Sequence, residues 1–114
     1  MSGQNFNELT STISQYCGKL AKGQSEVMMA FNKLSKAASQ DGVLDKKTKE
    51  LMALAIAVAV RCDGCIGFHV KALVGLGVTK EEIEEVCGMS VYMGGGPSLM
   101  YAAEALRAYD EFTG

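Results

Sequence analysis

An all-α single domain is the fold class this sequence predicts, and three observations predict it. Apolar residues recur with helical period through most of the chain. The one β-branched stretch, Ile56 to Val60, has no second strand candidate to pair with. Glycine, proline and capping residues punctuate the chain at helix-length intervals. The 114 residues, 1–114, make one domain, small enough that a homo-oligomer would help it bury apolar surface.

Phe6, Leu9, Ile13, Tyr16 and Leu20 mark the first helix, and Val27, Phe31, Leu34 and Ala38 the second, with Gly23 between them. A polar stretch from Ser39 to Gly42 leads to Asp45, an N-cap for a helix through the apolar run Leu51 to Val60. Ala and Leu favour helix there, and because the run is apolar on every side, its own domain or a neighbouring subunit must surround it. The fourth helix is expected to begin near Asp63 and Gly64, carry Cys65 and His69, and stop in Gly75-Leu76-Gly77. Thr79 and Glu82 form a capping box for the fifth, whose inward side holds Ile83, Val86, Cys87 and Ser90. Gly94-Gly95-Gly96 ends it and Pro97 suits the first turn of a last helix, with Leu99, Ala103 and Leu106 inward and Glu104, Arg107 and Asp110 facing water. About six helices result.

Composition closes several function classes. Net charge is −2, and Lys and Arg are scattered among acids, so neither a nucleic-acid footprint nor an anionic-membrane patch is visible. The longest apolar run is about half the length needed to cross a bilayer. Met1 to Leu20 lacks the basic start and apolar stretch of a leader, which predicts a cytoplasmic protein. The glycine triplet is a helix break and not a phosphate cradle, since neither Lys-Ser nor Lys-Thr follows it. The seven methionines read as core or interface filler.

Chemistry concentrates in Cys62-Asp63-Gly64-Cys65 and His69, the only histidine. Positions 62, 65 and 69 have the spacing at which helical side chains become neighbours. A base there can hold one cysteine as thiolate while the other closes a disulfide. Zinc is an alternative, with Cys62, Cys65 and His69 as three ligands and Cys87 or Cys17 as a fourth, although the second knuckle usual in structural sites is missing. A c-type haem is excluded because Ile66 follows the second cysteine. The structural alternatives are a buried pair of small side chains for CxxC, a satisfied helix-face histidine for His69, a solvated acid for Glu50 and an ion pair for Arg61. In a reducing compartment a CxxC is more often catalytic or metal-binding than a staple. Cys17 and Cys87 read as buried apolar positions.

Glu50, eleven residues, Cys62, two residues, Cys65, three residues and His69 together resemble the pattern of the carboxymuconolactone decarboxylase superfamily in its alkylhydroperoxidase D (AhpD)-like branch. The similarity spans roughly residues 40–112 and includes Gly77-Val78-Thr79-Lys80-Glu81-Glu82-Ile83. It implies an antioxidant peroxidase or disulfide oxidoreductase of peroxiredoxin type in which Cys65 is activated through His69 and Glu50, and Cys62 resolves the oxidised thiol. It further implies a hydroperoxide or other small-molecule substrate, a dithiol reductant (a lipoyl group or a thioredoxin-like protein), no bound cofactor or metal, and a homo-trimer or homo-hexamer. Two alternatives stay open: a decarboxylase-like lyase using His69 for acid-base chemistry, and a zinc-binding or redox-sensing module using the same thiols. The chain departs from the best-known peroxidases at Gly64, where they carry a further histidine. On one straight helix Glu50 and Cys62 would stand about 18 Å apart, so Glu50 joins the site only if the chain turns or a second subunit supplies it.

Overall fold

Four of the six helices start where an N-cap side chain, of Asn5, Asp45, Cys62 or Thr79, accepts one of their free N–H groups. The computed structural model describes residues 4–114, so the first three residues of the polar N-terminal stretch lie outside the described residues. Its helices are α1 (Phe6–Gly23), α2 (Ser25–Ser39), α3 (Lys46–Ala59), α4 (Asp63–Gly75), α5 (Lys80–Gly94) and α6 (Gly96–Thr113), with no strand among the described residues. Asn5 caps α1 by accepting the Asn7 N–H at 2.7 Å, and Asp45 caps α3 by accepting that of Thr48 at 2.8 Å. Thr79 and Glu82 close both halves of the expected capping box on α5. Between α5 and α6, Gly95 takes φ of 72°, which a residue with a side chain resists, and Pro97 lies in the first turn that follows.

The core gathers Phe6 from α1, Leu54, Ala57 and Val58 from α3, Ile66, Val70 and Leu73 from α4, Ile83 and Cys87 from α5, and three alanines of α6. Helix α4 is central, packing against α1, α3 and α6. Its contact with α1 depends on Gly67, where an added Cβ would stand 2.8 Å from Thr10 Cγ2 and 3.1 Å from Phe6 Cδ1. Both neighbours are fully buried and cannot swing away. Gly67→Ala is therefore expected to destabilise the fold by about 1–3 kcal/mol through overpacking, read as a lower urea midpoint at unchanged slope. Arg107 fastens the same corner: it bonds Glu104 and Glu111 and lies 4.5 Å over the Phe6 ring, while Glu111 accepts the Phe6 N–H at 2.6 Å.

The inward face of α6 differs from expectation. Leu99 and Ala103 are exposed, and Ser98, Ala102, Ala105 and Ala108 are buried, with Glu104 and Arg107 half-buried against one another. Small side chains let the α6 backbone approach α4 closely, and Tyr101, Tyr109 and Phe112 pack along the margins. The apolar stripes of α1 and α2 form, but their own domain covers only the start of the first, at Phe6, Leu9 and Ile13, and leaves the rest bare. In α1 only Phe6 and Thr10 are buried, in α2 nothing is, and Tyr16, Leu20, Val27, Phe31 and Leu34 face outward. On α3 the domain covers Leu54, Ala57 and Val58 and leaves Met52 and Ile56 exposed, and Val60 at the helix C-cap is exposed too. No helix among the described residues is long and apolar enough to cross a membrane.

Candidate active site

Glu50 meets the site through His69 and not along α3 to Cys62, because the chain reverses between α3 and α4. Arg61 adopts φ of 60°, the left-handed conformation, and the N–H of Cys62 donates back to Ala57 O at 3.1 Å. Helix α4 then returns along α3, which brings Glu50 Oε2 to 2.7 Å from His69 Nδ1 within one chain. Glu50 is 8 % exposed, so its carboxylate leans on that partner. A carboxylate only accepts, so Nδ1 carries the proton toward Glu50 and Nε2 is left as the basic nitrogen.

Cys62 and Cys65 are joined as a disulfide with their Cα atoms 5.2 Å apart. Cys62 is also the N-cap of α4, its sulfur accepting the Cys65 N–H at 3.2 Å. Cys65 lies one turn before His69, and the two line a cleft of about 200 Å³ walled by Ala53, Ile56, Ala57 and Val60. On the far side of His69 a second cleft of about 280 Å³ runs between α2 and α3, with Phe31, Leu34, Lys49, Glu50 and Ala53 in its walls. The positions expected from the sequence, Glu50, Cys62, Cys65 and His69, thus share the seam between α3 and α4. Sequence reasoning missed the cleft walls. The signal was present, since Glu50, Ala53, Ala57 and Val60 follow one another at helical spacing on the α4-facing side of α3. Gly64 faces α1: a Cβ there would stand 2.8 Å from Ile13 Cδ1, the far end of a side chain that would have to shift.

The other cysteines do not join the seam. Cys87 is buried as expected, its Sγ directed at Ala102 O at 3.7 Å, and burial pushes its thiol up to about 11 with Glu84 adding to the shift. Cys17, expected to be buried, is exposed on α1, because the stripe it belongs to lies uncovered. Among the described residues no group of three or more His, Cys, Asp and Glu is gathered to hold a metal ion. Native alkylation of the disulfide form near pH 8 is expected to label Cys17 and spare Cys87, giving one adduct per chain by intact mass. Two adducts would mean that α5 and α6 open.

The sequence profile of the carboxymuconolactone decarboxylase family matches residues 25–108. A Legionella pneumophila protein of that family, solved in its apo form, is 56 % identical and superposes with a TM-score of 0.93, covering 96 % of this chain and 97 % of its own. A Thermotoga maritima member, for which involvement in an antioxidative response has been suggested, is 28 % identical with a TM-score of 0.82, covering 91 % of this chain and 89 % of its own. An uncharacterized Cupriavidus necator protein is 42 % identical over 98 residues, 86 % of this chain and 87 % of that protein. An uncharacterized protein from the cox locus of Paracoccus denitrificans is 37 % identical over 97 residues, 85 % of this chain and 87 % of that protein.

Proposed function

The chain belongs to the carboxymuconolactone decarboxylase family, and from that premise we propose that it is a thiol-dependent peroxidase and disulfide oxidoreductase of the alkylhydroperoxidase D-like kind. The observation that carries this reading is the placement of a bonded CxxC pair and a His69–Glu50 pair on one seam, with Cys65 and His69 in the same cleft. In the cycle, His69 takes the Cys65 proton, the thiolate attacks the outer oxygen of a hydroperoxide as the O–O bond breaks, and the departing alkoxide takes that proton from His69 to leave as the alcohol, with Cys65 as a sulfenic acid. The Cys62 thiol displaces water from that sulfur to form the disulfide. A dithiol donor, a lipoyl group or a thioredoxin-like protein, then returns both thiols while its own pair is oxidised. The cycle needs no bound cofactor. The antioxidative role suggested for the Thermotoga relative supports it.

A cytoplasmic setting, where small thiols keep the pair reduced between turnovers, belongs to the same proposal. So does a homo-trimer or homo-hexamer. Met52 on α3 and Met89 and Met93 on α5 are large apolar side chains left bare.

The decisive experiment begins with reduced protein, adds one equivalent of an organic hydroperoxide, and follows free thiols and intact mass. Loss of two thiols and about 2 Da is expected in wild type, with neither change in Cys65→Ser. Unchanged thiols would sink the proposal. One observation favours a second reading: the cleft between α2 and α3 reaches Glu50 and His69 without touching either cysteine, which suits a lyase using acid-base chemistry alone. That activity would survive Cys65→Ser, and the peroxidase would not.

A further inference from the structure

The two sulfurs of the disulfide are not equivalent to an incoming thiol, and the difference assigns the direction of the reductive half-reaction. Cys65 lines the cleft with His69, whereas Cys62 is not among the residues that wall it. The Cys62 sulfur instead accepts the Cys65 N–H at 3.2 Å at the positive end of α4. A backbone donor and a helix N-terminus both favour charge on a departing sulfur. The neighbouring Asp63 carboxylate opposes that charge and the exposed Arg61 assists it, but neither changes which sulfur the cleft reaches.

We propose that the reducing thiol enters between Val60 and His69, attacks Cys65 Sγ, and expels Cys62 as the thiolate. This rests on the redox reading above only in that the disulfide is turned over. His69, which lines the same cleft, takes the proton of the incoming thiol. Its thiolate forms a bond to Cys65 Sγ as the Cys62–Cys65 bond breaks, and the electron pair of that bond leaves on Cys62. The second thiol of the donor then attacks the donor sulfur of the mixed disulfide and closes the donor's own disulfide. Cys65 departs and regains a proton from His69, while the proton of the second donor thiol goes to Cys62. Two electrons and two protons pass from donor to protein. Cys65 is then the contact point for both oxidant and reductant, and Cys62 meets neither.

The test uses oxidised wild-type protein and a monothiol, 2-mercaptoethanol, which cannot resolve its own mixed disulfide. The reaction is trapped with iodoacetamide, and the tryptic peptide Cys62–Lys71 is sequenced by mass spectrometry. The expected product carries mercaptoethanol on Cys65 and the alkyl group on Cys62, favoured at least about tenfold over the reverse pattern. An equal split, the reverse pattern, or no adduct would overturn the assignment. Val60→Trp, which narrows the mouth of the cleft from an exposed position, is expected to slow reduction by at least about tenfold while Cys17 alkylates at its usual rate. An unchanged reduction rate would place the entry elsewhere. Neither readout uses a hydroperoxide. A protein labelled on Cys65 but inert to peroxides therefore sinks the peroxidase and leaves this assignment standing, and the converse result separates them the other way.

Discussion

Cys65→Ser is expected to remove hydroperoxide consumption altogether, a fall of about 10³-fold or more to the uncatalysed background, because the attacking atom itself is lost. Cys62→Ser is expected to behave differently. Its Cys65 still lies beside His69, so one equivalent of hydroperoxide should be consumed at close to the wild-type rate before the enzyme stalls as a sulfenic acid. A sulfenic-acid trap such as dimedone should then label Cys62→Ser after peroxide and leave Cys65→Ser unlabelled. The two substitutions replace sulfur by oxygen at partly buried positions, and both should keep the unfolding free energy of reduced wild type to within about 1 kcal/mol. Loss of activity therefore reports chemistry and not folding. Equal residual turnover in the two variants would defeat the assigned roles, and a burst in Cys65→Ser with none in Cys62→Ser would exchange them.

The asymmetry between these cysteines was only partly legible before the fold was known. Spacing alone put Cys62, Cys65 and His69 on one helical face, and caps such as Asp45, Thr79 and Pro97 announced where helices start because their chemistry is local. Glu50 was another matter. Its approach to His69 depends on a reversal at Arg61, which takes a left-handed conformation with no glycine to advertise it. The inward face of α6 was ambiguous for a different reason. Leu99, Ala103 and Leu106 and Ala102, Ala105 and Ala108 are both helically spaced stripes, and hydrophobicity selects the first, of which only Leu106 packs against the core. Close approach of α6 to α4 selects the second, and that preference belongs to the partner helix, which one stripe does not describe. The stripes of α1 and α2 were read correctly as amphipathic, yet a periodic pattern says that a face needs covering and not what covers it. Cys17 was misplaced for that reason.

The His69–Glu50 pair carries the second large effect. His69→Asn is expected to lower the rate of Cys65 oxidation by about 10²–10³-fold, within the range for loss of a positioned general base. Glu50→Gln should cost less, about tenfold or somewhat more. The amide is isosteric and can still meet Nδ1, but it can accept only through its oxygen and offers no negative charge to the imidazolium that forms when His69 takes a proton. The informative measurement is the double variant. If Glu50 acts only by orienting His69 and stabilising its protonated form, removing His69 leaves nothing for Glu50 to do. The double variant then loses no more than His69→Asn alone, a marked departure from additivity. A merely structural Glu50 would instead lower the unfolding midpoint of Glu50→Gln, which a residue that only positions His69 leaves near the wild-type value. Fully additive losses would carry a different meaning. They would require Glu50 to touch the reacting molecule itself, and the structure offers a place for that in the cleft between α2 and α3, whose wall Glu50 and His69 share. In that event the seam would have two working faces, thiol chemistry on the Cys65 side and acid-base chemistry on the other.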